Sequence, residues 1–263
     1  MPAGSTYEVF AVKYAERPGR RPEHFIGGDP HDTPMPMDYF VWVIVGRGRT
    51  ILVDTGFEAA DADARGRTLV RTSVAALACV GVDASSIEDI VLTHLHYDHA
   101  GGLGRFPNAR LHLQDREMAY ATGRQMTVPF FAHAYTGRHV ADVVLAVHDG
   151  RVAFHDGDSV LADGITLHHV GGHTDGLQVV RVDTGRGVVV LASDSTHYYE
   201  NFERCRPFPI VFDVGDMVAG YGRLRALAGA DGVIVPGHDP QVLERFPSAD
   251  GASSGVAVRL SPG

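Results

Sequence analysis

Residues 91–102 read VLTHLHYDHAGG, an apolar run followed by three histidines and an aspartate within six positions and then by Ala-Gly-Gly. If residues 90–93 form a buried strand, His94 and His96 leave its C-terminal end on the same side, because side chains in extended chain alternate with period two. The next turn carries Asp98 and His99 around, and Gly101-Gly102 lets the backbone bend tightly. So many buried polar side chains need a partner to offset their desolvation. A metal ion fits the donor set.

Three later stretches share one grammar, in which an apolar strand runs into a loop that carries a donor. LHHVGGHTDG offers His173, VVVLASDSTHYYEN offers Asp194 and GVIVPGHDP offers His238. Loop-borne sites form where such strand ends converge. His94, His96, Asp98, His99, His173, Asp194 and His238 are too many donors for one tetrahedral ion and suit two, provided one carboxylate bridges. Imidazole and carboxylate without thiolate suit Zn2+, Mn2+ or Fe2+. Asp54, which ends the run ILVDTGF, is read as holding a ligand histidine from behind. The remaining ten of the 15 histidines, among them His24, His112, His148 and His155, are assigned to solvent or core. Met35, Met37, Phe130, Phe131 and Tyr135 could line an apolar pocket, with core packing an equal alternative.

Composition narrows the rest. The chain has 263 residues, 44% hydrophobic and 21% charged, enough for a sizeable core. Net charge is −9 and the basic residues are scattered, so nothing forms a stripe that would track phosphates, and a nucleic-acid partner is excluded. The two cysteines, Cys79 and Cys205, offer neither a disulfide framework nor a CxxC pair, which points to a reducing compartment. The N-terminus lacks a basic and apolar leader, and no stretch of about eighteen apolar residues occurs. A cytoplasmic protein without membrane contact is expected.

Strand-like runs occur at 6–12, 39–45, 50–54, 89–93, 109–113, 164–170, 177–183, 187–193 and 232–236, with helical patterns at 68–80 and 216–228. In the second helix Met217, Val218, Tyr221, Leu224 and Leu227 fall on one face. Interleaved strands and helices argue for sheets packed between helices, an α/β (α+β) class. A single domain is expected over 1–247. Within it, the aromatic-rich but aperiodic stretch 114–150 reads as an inserted cap. Residues 248–263 read as a partly disordered tail.

With these residues placed, the chain resembles the metallo-β-lactamase superfamily, whose hallmark is HxHxDH followed by a GH loop, a bridging Asp and a final His. The resemblance covers roughly residues 39–240 and implies a four-layer αβ/βα sandwich holding two divalent ions, Zn2+ first. His94, His96 and His173 would then hold one ion and Asp98, His99 and His238 the other, with Asp194 between them. Within the superfamily the chain is most similar to N-acyl homoserine lactone lactonases, through ILVDTG, THLHYDHAGG, the GHT loop, SDSTHYYENF and GHDP. It departs from them at Asp175, where their loop reads GHTPG, and at 27–40. The tyrosine that those enzymes place three residues after the bridging Asp falls here on His197, with Tyr198 and Tyr199 next.

The implied activity is the opening of a small lactone, an acyl homoserine lactone or another, by hydroxide held between two ions. Asp98 would move the proton, and His197, Tyr198 or Tyr199 would donate to the oxyanion. Strand alternation favours His197. Homodimerisation stays open. The alternatives are a thioesterase of the glyoxalase II type, a phosphodiesterase, and a non-catalytic metal or redox protein.

Overall fold

The computed structural model describes residues 6–249 and 255–260. The larger sheet contains β1 (Glu8–Arg17), β2 (Met37–Gly46), β3 (Arg49–Val53), β4 (Thr68–Leu69), β5 (Asp89–Val91), β6 (Arg110–Gln114) and β7 (Val152–His155). The smaller one contains β8 (Ser159–Ala162), β9 (Ile165–His169), β10 (Gln178–Asp183), β11 (Val188–Ser193) and β12 (Val233–Pro236), and β13 (Ala257–Leu260) returns to the first. Their orders are β13-β1-β2-β3-β5-β6-β7, with β4 beside β1, and β12-β11-β10-β9-β8. The helices are α1 (Ala59–Arg65), α2 (Ser73–Ala78), α3 (Tyr97–Ala100), α4 (Asp115–Ala121), α5 (Pro129–Ala132), α6 (Gly137–His148), α7 (Tyr199–Glu203), α8 (Val214–Ala228) and α9 (Gln241–Arg245).

β2 explains the layering. Its residues are buried on both faces, and they divide by parity. Phe40, Trp42 and Ile44 pack with Val180, Val182, Val189 and Leu191 of the facing sheet. Tyr39, Val41 and Val43 pack under the helices with Leu77, Val140 and Val143. A smaller cluster, Val179, Val190 and Ala192 with Leu224 and Ala228, seats α8 on the far side of the second sheet. The result is the expected αβ/βα sandwich, since a strand buried on two sides must lie between two cores.

Some boundaries differ from the sequence expectations. The helix expected over 68–80 is confined to α2, because Thr72 caps it and residues 68–69 pair with β1 instead. In α8, Met217, Tyr221 and Leu224 are buried as expected, whereas Val218 is exposed. The stretch 114–150, read as an inserted cap, joins the parallel neighbours β6 and β7, and α6 within it inserts Val140, Val143 and Ala146 into the core. The expectation of a disordered tail fails at β13, where Ala257, Val258 and Leu260 are buried and register with Val12, Ala11 and Val9. Residues 250–254 and 261–263 of that tail lie outside the described residues. Among the described residues no helix is long and apolar enough to cross a membrane.

Candidate metal centre

β5 delivers the first donors. Beyond Val91 the chain stays extended through Leu92, whose N–H bonds the His112 carbonyl, and His94 and His96 then leave on one side. α3 opens immediately after His96 and carries Asp98 and His99 around a single turn. That turn is clamped from outside: the Tyr14 hydroxyl donates to the Asp98 carbonyl (2.8 Å) and the Thr55 hydroxyl to that of His99 (2.9 Å). His173 follows the β9 edge, Asp194 follows β11 and His238 follows β12. The last two loops are tied to each other, since Gly237 N–H and His238 N–H donate to the carbonyls of Thr196 and His197. A Cβ at Gly237 would collide with Asp194 Oδ1, so only glycine lets the two loops approach this closely.

All seven donors expected from the sequence meet in one buried cluster. His173 Nε2 lies 3.2 Å from His94 Nε2 and 2.9 Å from His96 Nδ1. On the other side His238 Nε2 lies 3.7 Å and His99 Nε2 3.6 Å from Asp98 Oδ2. Asp194 stands between the two groups. Its Oδ1 faces His238 at 3.0 Å and His99 at 3.5 Å, while its Oδ2 faces His173 at 3.4 Å and His94 at 3.9 Å and also lies 3.3 Å from His238.

The outer nitrogens of these rings decide what the inner ones can do. His173 Nδ1 donates to the Ile210 carbonyl (2.7 Å), His238 Nδ1 to that of Asp38 (2.9 Å) and His99 Nδ1 to Asp54 Oδ2 (2.7 Å). With Nδ1 so engaged, Nε2 is the atom each ring would present to a metal ion, in place of the proton it otherwise carries. Such atoms repel unless a cation lies between them, and buried His99 Nε2 and Asp194 Oδ1 indeed have no hydrogen-bond partner. The electrostatics favour positive charge at this point: burial opposes charge on His99, yet the carboxylates of Asp194, Asp54 and Asp98 hold its pKa well above the ordinary value. His94 and His96 are pushed well below it, by burial first and then by neighbouring histidines. The donor set fits a pair of divalent ions.

The sequence missed Glu117, which is fully buried on α4. Its Oε1 accepts from Leu95 N–H (2.9 Å) and the Tyr135 hydroxyl (2.8 Å), and its Oε2 accepts from the Thr174 hydroxyl (2.6 Å) and Gly176 N–H (3.3 Å). Leu95 lies between His94 and His96, and Thr174 follows His173, so one carboxylate braces two ligand loops. Burial nonetheless raises its pKa. No local motif marks it.

Of the three expected oxyanion donors, one faces the centre. His197 Nε2 lies 3.1 Å from Asp194 Oδ2 and its ring stacks on Phe208 at 3.6 Å. Burial pushes its pKa down to about 3, so the ring is neutral at neutral pH. Tyr198 turns away, its hydroxyl lying 3.2 Å from His24 Nε2 and 3.1 Å from the Pro36 carbonyl. Tyr199 opens α7 and packs under the Arg245 guanidinium, facing a separate groove with Phe202 and Phe246. Alternation does not apply because the backbone turns at Ser195 and Thr196 before the helix starts.

A cavity of about 90 Å³ opens over the cluster. Met37 and Ile210 line it, as do residues that sequence reasoning passed over: Arg17, Tyr39, Arg65, Arg67, Tyr97 and His133. Of the other apolar candidates, Met35 and Phe131 pack against the core, Phe130 is exposed and Tyr135 bonds Glu117.

The metallo-beta-lactamase superfamily matches residues 35–238. The N-acyl homoserine lactonase AttM of Azorhizobium caulinodans is 32% identical over 184 residues, 68% of each chain. An N-acyl homoserine lactonase from a Bacillus species is 30% identical over 162 residues, 61% of this chain and 59% of that one. The fold superposes on an N-acyl homoserine lactone hydrolase with N-hexanoyl-L-homoserine at its catalytic metal centre, with TM-score 0.77, 22% identity, and 93% and 98% of the two chains covered. It also superposes on AidC, a dizinc quorum-quenching lactonase, with TM-score 0.72, 19% identity, and 100% and 96% covered.

Proposed function

This chain belongs to the metallo-beta-lactamase superfamily, and from that premise we propose that it is a metal-dependent hydrolase that opens a small lactone ring. One observation carries the reading: the Asp194 carboxylate stands between the two histidine clusters, with His238 and His173 both in reach, where a ligand shared by two ions would sit. His94, His96 and His173 are the ligands we assign to one ion, and Asp98, His99 and His238 those of the other. When bound, such a pair supplies a water acidified toward neutrality and a Lewis acid for the carbonyl oxygen. We take zinc as the native ion, because imidazole and carboxylate donors accommodate it and a structural neighbour is a dizinc lactonase.

The chain's own side chains have three tasks. Asp98, on the cavity wall, accepts the proton of the attacking water and passes it to the leaving ring oxygen. His197, neutral and aimed into the centre, donates toward the carbonyl oxygen as negative charge develops there. Burial excludes bulk water from the clusters, which strengthens each of these interactions. No side-chain nucleophile is required. The lactonases among its relatives support the choice of a cyclic ester, and the cysteine usage supports a cytoplasmic setting.

The test is a panel assay on zinc-loaded protein at neutral pH, comparing lactones, a thioester, a phosphodiester and a β-lactam. Lactones should be turned over fastest, by protein holding two ions per chain. Faster turnover of the thioester or the phosphodiester would move the assignment to that class.

A further inference from the structure

Acyl homoserine lactones carry no charge, yet the cavity over the metal centre is walled by three guanidinium groups, those of Arg17, Arg65 and Arg67. The carboxylates on that wall are Asp98 and Asp194, both assigned to metal ions. Among the described residues neither Arg65 nor Arg67 forms an ion pair, although the Asp98 carboxylate, assigned to a metal ion, acts on Arg67 from a distance. Arg65 is spent on the carbonyls of His133 (2.8 Å) and Tyr135 (3.2 Å) and on the Tyr97 ring, 4.0 Å from its guanidinium carbon. Arg67 donates its Nε to the Tyr97 hydroxyl (3.0 Å) and Nη1 to the Arg65 carbonyl (2.8 Å), and no acceptor among the described residues takes its Nη2. Arg17 meets Met37 Sδ (3.1 Å) and, at the rim, the exposed Glu23 (3.4 Å).

Guanidinium groups beside two divalent ions would repel them and one another, and an anion entering the cavity would relieve that repulsion. The cavity, about 90 Å³, is also far smaller than the roughly 300–1,000 Å³ of pockets that enclose drug-sized ligands. Resting on the lactonase reading, we propose that the substrate is a compact lactone bearing a carboxylate, which Arg67 and Arg17 grip while the ring carbonyl meets the metal centre. Arg67 offers its free Nη2 to the carboxylate, and Tyr39 and Tyr97, whose hydroxyls lie 3.4 Å apart, continue the polar wall. Hydrolysis adds the oxygen of water to the carbonyl carbon as the ring C–O bond breaks. One proton of that water ends on the ring oxygen and the other is released, so the product is a hydroxydicarboxylate.

The experiment uses zinc-loaded protein and three probes: 5-oxotetrahydrofuran-2-carboxylate, the matching carboxamide, and N-hexanoyl homoserine lactone. The kcat/KM for the carboxylate should exceed that for the carboxamide about 10²-fold, the scale of a charge-assisted hydrogen bond. In Arg67→Gln that ratio should fall to within about fivefold, with Arg67→Lys intermediate because it keeps the charge but loses the bonds to Tyr97 and Arg65 that hold the group in place. A purely structural arginine would lower both rates together and leave the ratio in place. Arg17→Gln should reduce the ratio as well, and it disturbs fewer internal bonds if Arg67→Gln folds poorly. Equal or faster turnover of the carboxamide or the acyl homoserine lactone, or a ratio unchanged in both glutamine variants, overturns the proposal and leaves the lactonase reading standing. If none of the three lactones opens in protein holding two ions, the lactonase reading falls and this inference with it.

Discussion

His99 Nδ1 donates to Asp54 Oδ2 across 2.7 Å, and the same carboxylate takes the Thr93 N–H and hydroxyl, both at 2.8 Å. Asp54 adopts a left-handed backbone (φ 61°), which an aspartate tolerates better than most residues. This carboxylate fixes the tautomer of His99, presenting Nε2 as the lone pair. Asp54→Asn keeps the shape but weakens the acceptor, so metal affinity should fall about 10- to 100-fold. Competition against a chromogenic chelator measures that change.

Asp194 stands between the two histidine clusters. Asp194→Ala should drop bound metal from two ions per chain toward one and abolish most lactone hydrolysis. Elemental analysis of protein purified without chelator provides the count. Full activity with one ion per chain would defeat the dinuclear assignment.

The three residues after Thr196 should separate cleanly in kinetics. His197→Ala should lower kcat about 10²-fold at unchanged metal content, the loss expected for one oxyanion donor. Tyr198→Phe should leave kcat within about twofold and cost about 1 kcal/mol of stability, since its hydroxyl bonds the segment around Met35 and Pro36. Tyr199→Phe should change neither appreciably. Steady-state kinetics together with urea unfolding distinguish these outcomes.

His24 provides a pH signature away from the metal centre. Burial holds its pKa at about 4, whereas the unfolded chain titrates near the ordinary value of 6.5. Between those two values the unfolded state binds the extra proton, so this contribution is complete above pH 6.5 and is lost as the pH falls toward 4. Urea midpoints should decline over that window and decline less in His24→Gln.

Much of the centre was legible because the seven donors obey one rule: a buried strand ends and a donor comes next. The rule is physical. A strand between two cores has a fixed direction, so the loop beyond its end is delivered to one edge of the sandwich. Arg17, Arg65, Arg67 and His133 obey no such rule. They come from a strand end, a helix terminus and two loops, and only the folded chain shows that these open on one cavity. Glu117 was hidden because its four donors come from loops distant in sequence. Strand alternation misplaces Tyr198 and Tyr199 because the chain already turns beyond β11. β7 and β8 leave little trace in the sequence because they are short, half-exposed strands at the sheet edges, with little apolar pattern to detect.

Glu117 has a consequence for how the centre is assembled. Its bonds hold the loops of His94, His96 and His173 by protein contacts alone, and the Asp54 and Tyr14 contacts do the same for His99 and Asp98. Protein contacts thus place the ligand loops beside any bonds to an ion, and folding should depend on the metal less than it does in small zinc-dependent domains. Chelated protein should stay folded by circular dichroism and regain activity within the mixing time when zinc returns. Glu117→Gln, which weakens that brace, should turn the fast recovery into a slow one limited by rearrangement of the loops.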